Sequence, residues 1–381
     1  MSTICGVDIA STKFDYRIIS ERSNDLGKGT VHMDKVSFEN FFSSVPEDTT
    51  FVLESTGGYH ITTEYFLRSK CASVCVENPL ILKRFISSQT LRRTKTDTLD
   101  ALSIARYGLI NYDRLHKKDS VMDEVNKTIA RRRQEVAEDI ARAKTQLKAD
   151  LNKGWPELLA IDVFTNAILD ILTTYGGPSN VARATDEELE EVLYGKHGRK
   201  TNLTAKNLKD LAKDSIGIPA MEIIVRDSVG KLRDLQKRSD DLTAALLSHE
   251  KEVHAQEMEI LTSFPGIGEI TAAHFMSEIE DIHKFSTYQK LIAFVGTDPS
   301  IYQSGKYSGG GHITKHGDRS LRKYVFLMAQ KSIQFNPVLS EYYEKKINEG
   351  FQYRKAVVAV MNKLLKLIYT LLTRGEKFEL K

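Results

Sequence analysis

The sequence is poor in cysteine. Among 381 residues there are three, Cys5, Cys71 and Cys75. So low and odd a count argues against a disulfide scaffold and suits a reducing compartment. Cys71 and Cys75 lie in the apolar run CASVCVENP with no second ligand pair nearby, so both are expected to be buried small hydrophobes. Charge of one sign is also lacking: 54 Lys and Arg stand against 51 Asp and Glu, a formal net charge of +3. That balance does not exclude a nucleic-acid partner, because a local basic face can hide inside a neutral total. No apolar stretch follows a basic head, and no run of about 18 apolar residues exists, so neither a secretion signal nor a membrane span is expected. The expected location is cytoplasmic. No repeat or low-complexity tract stands out. What is present is 41% hydrophobic residues, enough for packed cores, in a length that suits two or three domains.

Residues 3–20, TICGVDIASTKFDYRIIS, are two β-branched runs around the polar turn AST, a hairpin signal. TTFVL at 49–53 and the apolar run at 71–76 predict further strands, with helical spacing over 58–70 and 97–107. Strands alternating with helices indicate an α/β layer. The middle changes texture. Residues 119–152 and 220–258 predict two long helices, the first polar and washed by solvent. Leu232, Leu235, Leu242 and Leu246 form a short a/d-like seam suited to pairing two helices. Gly and Pro breaks over 155–218 predict a small helical insert. From about 262 come a helix end, the tight turn PGIG, a new helix, a Gly-rich basic loop, a helix over 319–335 and an amphipathic tail helix over 351–373.

Four carboxylates draw attention. Asp8 sits in the otherwise apolar strand GVDIA, where an unpaired buried charge is costly. Glu54 ends the strand TTFVL, and strand ends of open α/β sheets gather ligand groups. Asp97 and Asp100 share a helical face at i, i+3. Like charges there repel unless a cation sits between them, although a helix start also favours acids through its dipole. Each alone has an ordinary explanation: a hydrogen-bonded strand-end Asp, a solvated turn Glu, a dipole-matched pair. Together they form an all-oxygen set suited to Mg²⁺ or Mn²⁺. Two such ions about 4 Å apart can clamp the attacking and leaving oxygens of a phosphodiester. An acid on the first hairpin strand, one on a later strand end and a helical pair form the layout of ribonuclease-H-like nucleases.

The C-terminal third carries the complementary signal. PGIGEITA resembles the hairpin of a helix-hairpin-helix, in which Gly266 and Gly268 would let backbone N–H groups approach a phosphate; an ordinary helix–helix turn has the same sequence. Lys306, Lys315, Arg319, Arg322 and Lys323 crowd into 18 residues with one acid, Asp318, which points to phosphate contact. Ser304 precedes Gly305 in this cation-rich loop, where an alkoxide could be stabilised for attack on a phosphodiester. On spacing alone Ser308 is an equal candidate.

In order and combination, the segments GVDIASTK, FVLESTGGY, RTKTDTLDALSIARYG, PGIGEITA and FVGTDPSIYQSGKYSGGGHITKHGDRSLRKYV resemble the DEDD transposases of prokaryotic insertion sequences, the insertion-sequence one-ten family. They cover roughly residues 4–110 and 260–340. The resemblance implies a RuvC-like catalytic domain over 1–115, a helical, coiled-coil-like oligomerisation region over 116–258, and a mainly helical DNA-binding transposase domain over 259–381. It implies Mg²⁺ held by Asp8, Glu54, Asp97 and Asp100. It also implies a nucleophilic serine at Ser304, with Ser308 displaced by four residues. Members are expected to form dimers or tetramers with composite active sites, and some are guided by a structured RNA that pairs with donor and target DNA. FVGTDPS departs from the commoner Gly-Leu-Xaa-Pro pattern by placing Thr297 and Asp298 between Gly296 and Pro299.

Three other readings compete. A metal-dependent junction endonuclease would cleave with water and need no serine. An actin-like ATPase or sugar kinase also starts with Gly-Xaa-Asp-Xaa-Xaa-Xaa-Thr, but the basic C-terminal segment does not fit it. A non-catalytic DNA-binding protein leaves the four acids unexplained.

Overall fold

The computed structural model describes residues 3–22, 24–55, 58–89, 97–115, 122–195, 203–300, 303–304, 307–308, 312–315 and 317–379. The chain divides into two units, Met1–Val125 and Asn126–Lys381.

The first unit is built on strands β1 (Thr3–Ile9), β2 (Lys13–Ile19) and β3 (Asp25–His32), helix α1 (Lys35–Ser44), β4 (Thr49–Glu54), α2 (His60–Ser69), β5 (Ser73–Glu77), α3 (Pro79–Gln89) and α4 (Asp97–Ile110). The sheet order is β3-β2-β1-β4-β5. The first three strands are antiparallel, while β4 and β5 run parallel to β1. Period-two alternation sends Cys5, Val7, Phe51, Leu53 and Val74 to one face, against Phe38 and Phe41 of α1 and Leu67 of α2. Ile4, Val52 and Cys75 go to the other, against Leu82 of α3 and Ile104 and Ala105 of α4. Both faces are covered, which is why the central strands read as nearly continuous apolar runs.

Two elements here escape the sequence patterns. Strand β3, DLGKGTVH, holds two glycines and buries only Val31, as an edge strand can. Helix α1 starts at Asp34, whose carboxylate accepts the Ser37 N–H at 2.9 Å. One cysteine expectation is corrected. Cys75 is fully buried, but Cys71 is exposed, with φ 58° in the turn after α2. Its N–H donates to the Arg68 carbonyl, so it closes the helix and stays out of the core.

The second unit begins within α5 (Met122–Gly154), which runs antiparallel to α10 (Glu222–Val253). Arg133 Nε donates to Thr243 Oγ1 at 2.6 Å near one end, and Ser228 donates to Asp150 at 2.6 Å near the other. Between them α6 (Asn166–Tyr175), α7 (Pro178–Arg183), α8 (Asp186–Tyr194) and α9 (Ala205–Lys213) form the insert. Its core joins Leu147, Leu151 and Trp155 to Ile168, Leu172 and Val229. The polar character expected for α5 is thus only half of it: Ala130, Val136, Ala143, Leu147 and Leu151 are buried. Their stripe is narrow and partly alanine, so composition hides it. The leucine seam is used within the chain, with Leu232 in the insert core and Leu246 in the C-terminal core.

The remainder is α11 (Ala255–Thr262), α12 (Glu269–Ile279), α13 (Tyr288–Val295), α14 (Arg319–Phe335), α15 (Pro337–Asn348) and α16 (Tyr353–Arg374). Between α13 and α14 lie two-residue strands β6 (Pro299–Ser300), β7 (Gln303–Ser304), β8 (Tyr307–Ser308) and β9 (His312–Ile313). Among the described residues α16 alone is long and apolar enough to cross a membrane. Here its apolar face, with Val357, Val360, Leu364 and Ile368, packs in the core beside Phe275, Val325 and Met328.

Candidate active site and nucleic-acid interface

The position of Asp8 follows from its neighbours. Register pairs Val7 with Leu53 on the parallel strand β4. Asp8 and Glu54, one residue further on, are therefore neighbours across a spacing of about 4.8 Å. Both are half-buried. Two residues before Asp8, Gly6 faces α4 so closely that a Cβ there would lie 2.3 Å from the Ala101 carbonyl oxygen and 2.3 Å from the Ala105 nitrogen. Gly108, one turn later on α4, meets Ile4 and Val52 in the same way. The helix therefore runs opposite to β1, and going from Gly6 to Asp8 on the strand matches going from Ala105 and Ala101 back to the first turn. That turn holds Asp97 and Asp100. Asp97 is the first residue of α4, and its side chain lies outside the described residues; Asp100 is half-buried.

The row of acids extends beyond those the sequence singled out. Asp15 pairs with Asp8, and Glu77 pairs with Glu54, all on the α4 side of the sheet. Asp15 accepts hydrogen bonds from Thr30 and from Lys13, the latter at 3.3 Å. Glu77 accepts from the Tyr107 hydroxyl of α4 at 3.4 Å. Burial, then the nearby Glu77 charge, push the Tyr107 hydroxyl above the usual tyrosine pKa. Only the strand register brings these residues together; nothing in their spacing announces it. Among the described residues no three His, Cys, Asp or Glu side chains are already gathered around one point. The donor set is nevertheless all carboxylate oxygen, the chemistry a hard divalent cation takes.

The basic segment forms a stepped hairpin where a loop is expected. Pro299 and Ser300 pair with Ile313 and His312, and Gln303 and Ser304 pair with Ser308 and Tyr307. With two residues per strand, no alternation is long enough to be visible in sequence. Ser304 and Ser308 occupy different rungs, Ser304 on the one nearer the reversal. The departure Thr297-Asp298 anchors the base. Thr297 Oγ1 donates to Asn362 of α16 at 2.7 Å, and Thr314 Oγ1 donates to Asp298 at 2.5 Å.

The expected DNA-contacting residues fall into different settings. Lys306 lies outside the described residues. Arg319 and Lys315 are exposed, Lys315 with φ 54°. Arg322 is half-buried, and its guanidinium donates to the Val295 and Gly317 carbonyls, clamping the hairpin base to the end of α13. Lys323 lies 3.7 Å from Glu138. Gly266 has φ 97° and packs against α14, where a Cβ would come within 2.5 Å of the Ser332 nitrogen. Gly268 precedes α12, is exposed, and has open space where a Cβ would be.

A polar knot holds α5 to this domain. Arg131 forms a two-pronged bond to buried Glu278, at 2.9 and 3.1 Å, and reaches Asp318, the N-cap of α14, at 3.1 Å. Arg133 donates to His274 Nε2 at 3.1 Å, and the His274 ring stacks on Tyr324 at 3.8 Å. Burial first, then the Arg133 and Lys323 cations, push the His274 pKa down to about 3. His274 is therefore neutral and accepts from Arg133.

Comparison with known proteins bears on both ends of the chain. A DEDD-type transposase family model matches residues 5–156, and the model described as Transposase IS116/IS110/IS902 family matches 258–344. The chain belongs to this transposase family. The transposase is 24% identical over 405 residues to the mini-circle putative transposase for IS117 of Streptomyces coelicolor, covering 100% of this chain and 96% of that one. It is 24% identical to the insertion element IS110 uncharacterized 43.6 kDa protein of the same organism, covering 79% and 76%. The pilin gene-inverting protein of Moraxella lacunata is 21% identical, over 99% and 98%. The protein is thus an enzyme of DNA transposition and recombination, and its DEDD class implies use of a divalent metal.

Proposed function

We propose that this transposase cuts and rejoins the ends of an insertion sequence by a Mg²⁺-dependent reaction in which Ser304 is the nucleophile. The observation that supports the proposal is the register that makes Asp8 and Glu54 neighbours on adjacent strands, together with the close packing of α4 on Gly6, which turns the first turn of that helix toward the same end of the strands. The strand order β3-β2-β1-β4-β5, with three antiparallel strands and two parallel additions, supports a ribonuclease-H-like domain over 1–115. The separate cores of the insert and of the C-terminal helices support a middle region over 116–258 and a DNA-binding domain over 259–381. The turn between α11 and α12, with Gly268 open at its end, supports a helix-hairpin-helix-like phosphate contact.

In this reading Asp8, Glu54, Asp97 and Asp100 hold Mg²⁺ or Mn²⁺. When bound, the cation neutralises charge on the scissile phosphate and favours departure of the leaving oxygen. Ser304 Oγ bonds to phosphorus, the phosphorus–sugar oxygen bond breaks, and the serine proton passes to the sugar oxygen. A hydroxyl of another strand then displaces Ser304, which recovers a proton, so the phosphodiester count is conserved. Lys306, Lys315, Arg319 and Lys323 neutralise phosphates, while Arg322 acts through the hairpin base. The partners are element-end and target DNA, a structured guide RNA as in some relatives, and further copies of the chain in a dimer or tetramer; the location is cytoplasmic. The test is strand cleavage with Mg²⁺ by wild type and Asp100→Asn. The variant is expected to keep its fold and lose cleavage, and normal cleavage would sink the metal role.

A further inference from the structure

Helix α16 lies beyond the family-matched segment, and from Gly350 to Gly375 the chain contains no acid and five cations. The apolar side of the helix is core. Its other side carries Lys355, Lys363 and Lys366, of which Lys355 and Lys366 are exposed. Each ammonium lies over an aromatic ring: Lys355 on Phe351 at 4.4 Å, Lys363 on Tyr342 at 4.3 Å, and Lys366 on Tyr288 at 5.2 Å. Lys346 also lies over Tyr342 and Phe351, but Glu349 pairs with it at 2.6 Å, so it is excluded from the set. Ring contacts hold flexible lysine chains down, reducing the entropy lost when they bind an anion.

From Lys355 to Lys366 the three lysines span twelve residues, a rise of about 16 Å along the helix. That length matches about five base pairs of rise along one DNA strand. The stripe also adjoins the hairpin: Asn362, between Lys355 and Lys366 along the helix, bonds to Thr297 at the hairpin base, so the cations flank the segment that leads to Ser304.

We infer that Lys355, Lys363 and Lys366 form a second DNA-binding surface, gripping the phosphate backbone of duplex DNA that continues past the hairpin. The inference rests on the DNA-processing function proposed above. Its partner is the backbone, so it adds affinity without sequence preference.

The test is anisotropy binding of the full-length protein to a labelled 30-bp duplex over a range of salt. Lys355→Gln, Lys363→Gln and Lys366→Gln are combined in one variant. Each lost contact removes about 0.9 from the slope of log K against log salt, so the triple is expected to lower it by about 2.7 and weaken binding at least tenfold. The triple Lys→Arg version should bind as wild type does, which separates charge from folding. The same charge change on α9, at Lys206, Lys209 and Lys213, should leave the slope alone. An unchanged slope in the α16 variant, with wild type binding DNA, overturns the surface and leaves the proposed function standing. Wild type failing to bind duplex both alone and when co-purified with RNA from its own locus overturns both. A slope loss seen with RNA and not with duplex DNA overturns the choice of partner.

Discussion

Replacing Gly6 by alanine probes the geometry on which the candidate active site depends. The new Cβ would meet backbone atoms of Ala101 and Ala105 at 2.3 Å, where ordinary contact begins near 3.4 Å. Backbone atoms of a helix cannot rotate aside, so α4 must back away from the sheet by about 1 Å. Overpacking of this kind costs roughly 1–3 kcal/mol, and the rigid neighbours put it at the upper end. In a unit of this size about 3 kcal/mol corresponds to a fall of roughly 10 °C in Tm. The same movement carries Asp97 and Asp100 away from Asp8 and Glu54. A misplacement of about 1 Å costs on the order of 100-fold in rate. Thermal unfolding and Mg²⁺-dependent strand cleavage on labelled duplex measure the two effects. Gly268→Ala is the control, because nothing lies within 4 Å of its Cβ; it should leave Tm unchanged. Wild-type stability and cleavage in Gly6→Ala would refute the packing of α4 on β1 and with it the placement of the helical acids.

Other consequences are open to measurement. His274 titrates near 6.5 when unfolded and about 3 when folded, so between those values the unfolded chain binds more protons and stability falls as pH falls. At pH 5 the loss is about 2 kcal/mol relative to neutral pH; urea unfolding at pH 7 and pH 5 should show it in wild type and not in His274→Gln. Arg131→Met strands the buried Glu278 carboxylate and should cost about 3 kcal/mol by denaturant unfolding, with a cost under 0.5 kcal/mol contradicting the knot. Arg322→Ala removes the clamp on the Val295 and Gly317 carbonyls, and faster amide exchange at residues 312–315 is expected. Unchanged exchange there would return Arg322 to a simple phosphate contact.

Much of the architecture is legible wherever periodicity is long enough to register. The β1–β2 hairpin, the helix starting at Arg319 and the two long helices emerge with bounds close to those observed. Strand β3 and the rungs of the hairpin do not, because one buried valine or two residues per strand carry no period. The acids on β1, β4 and α4 were nameable from their unusual settings. Asp15 and Glu77 were not, since only register across five strands aligns them with Asp8 and Glu54. Arg322 illustrates the opposite problem. Its place in a basic run suggests a phosphate, while its half-buried guanidinium is engaged with two carbonyls. Local sequence reports charge and spacing but not which side of a helix the rest of the fold covers.

The central claim is that a serine joins the protein covalently to DNA with help from the carboxylate site. The direct measurement is a denaturing gel of labelled element-end DNA incubated with Mg²⁺ and the protein co-purified with RNA from its own locus. Wild type is run beside Ser304→Ala, Ser308→Ala and Asp100→Asn. The account predicts a protein–DNA adduct in wild type and Ser308→Ala that is missing from Ser304→Ala and Asp100→Asn. An adduct that survives in Ser304→Ala, or nicked DNA with no adduct in any lane, would contradict it.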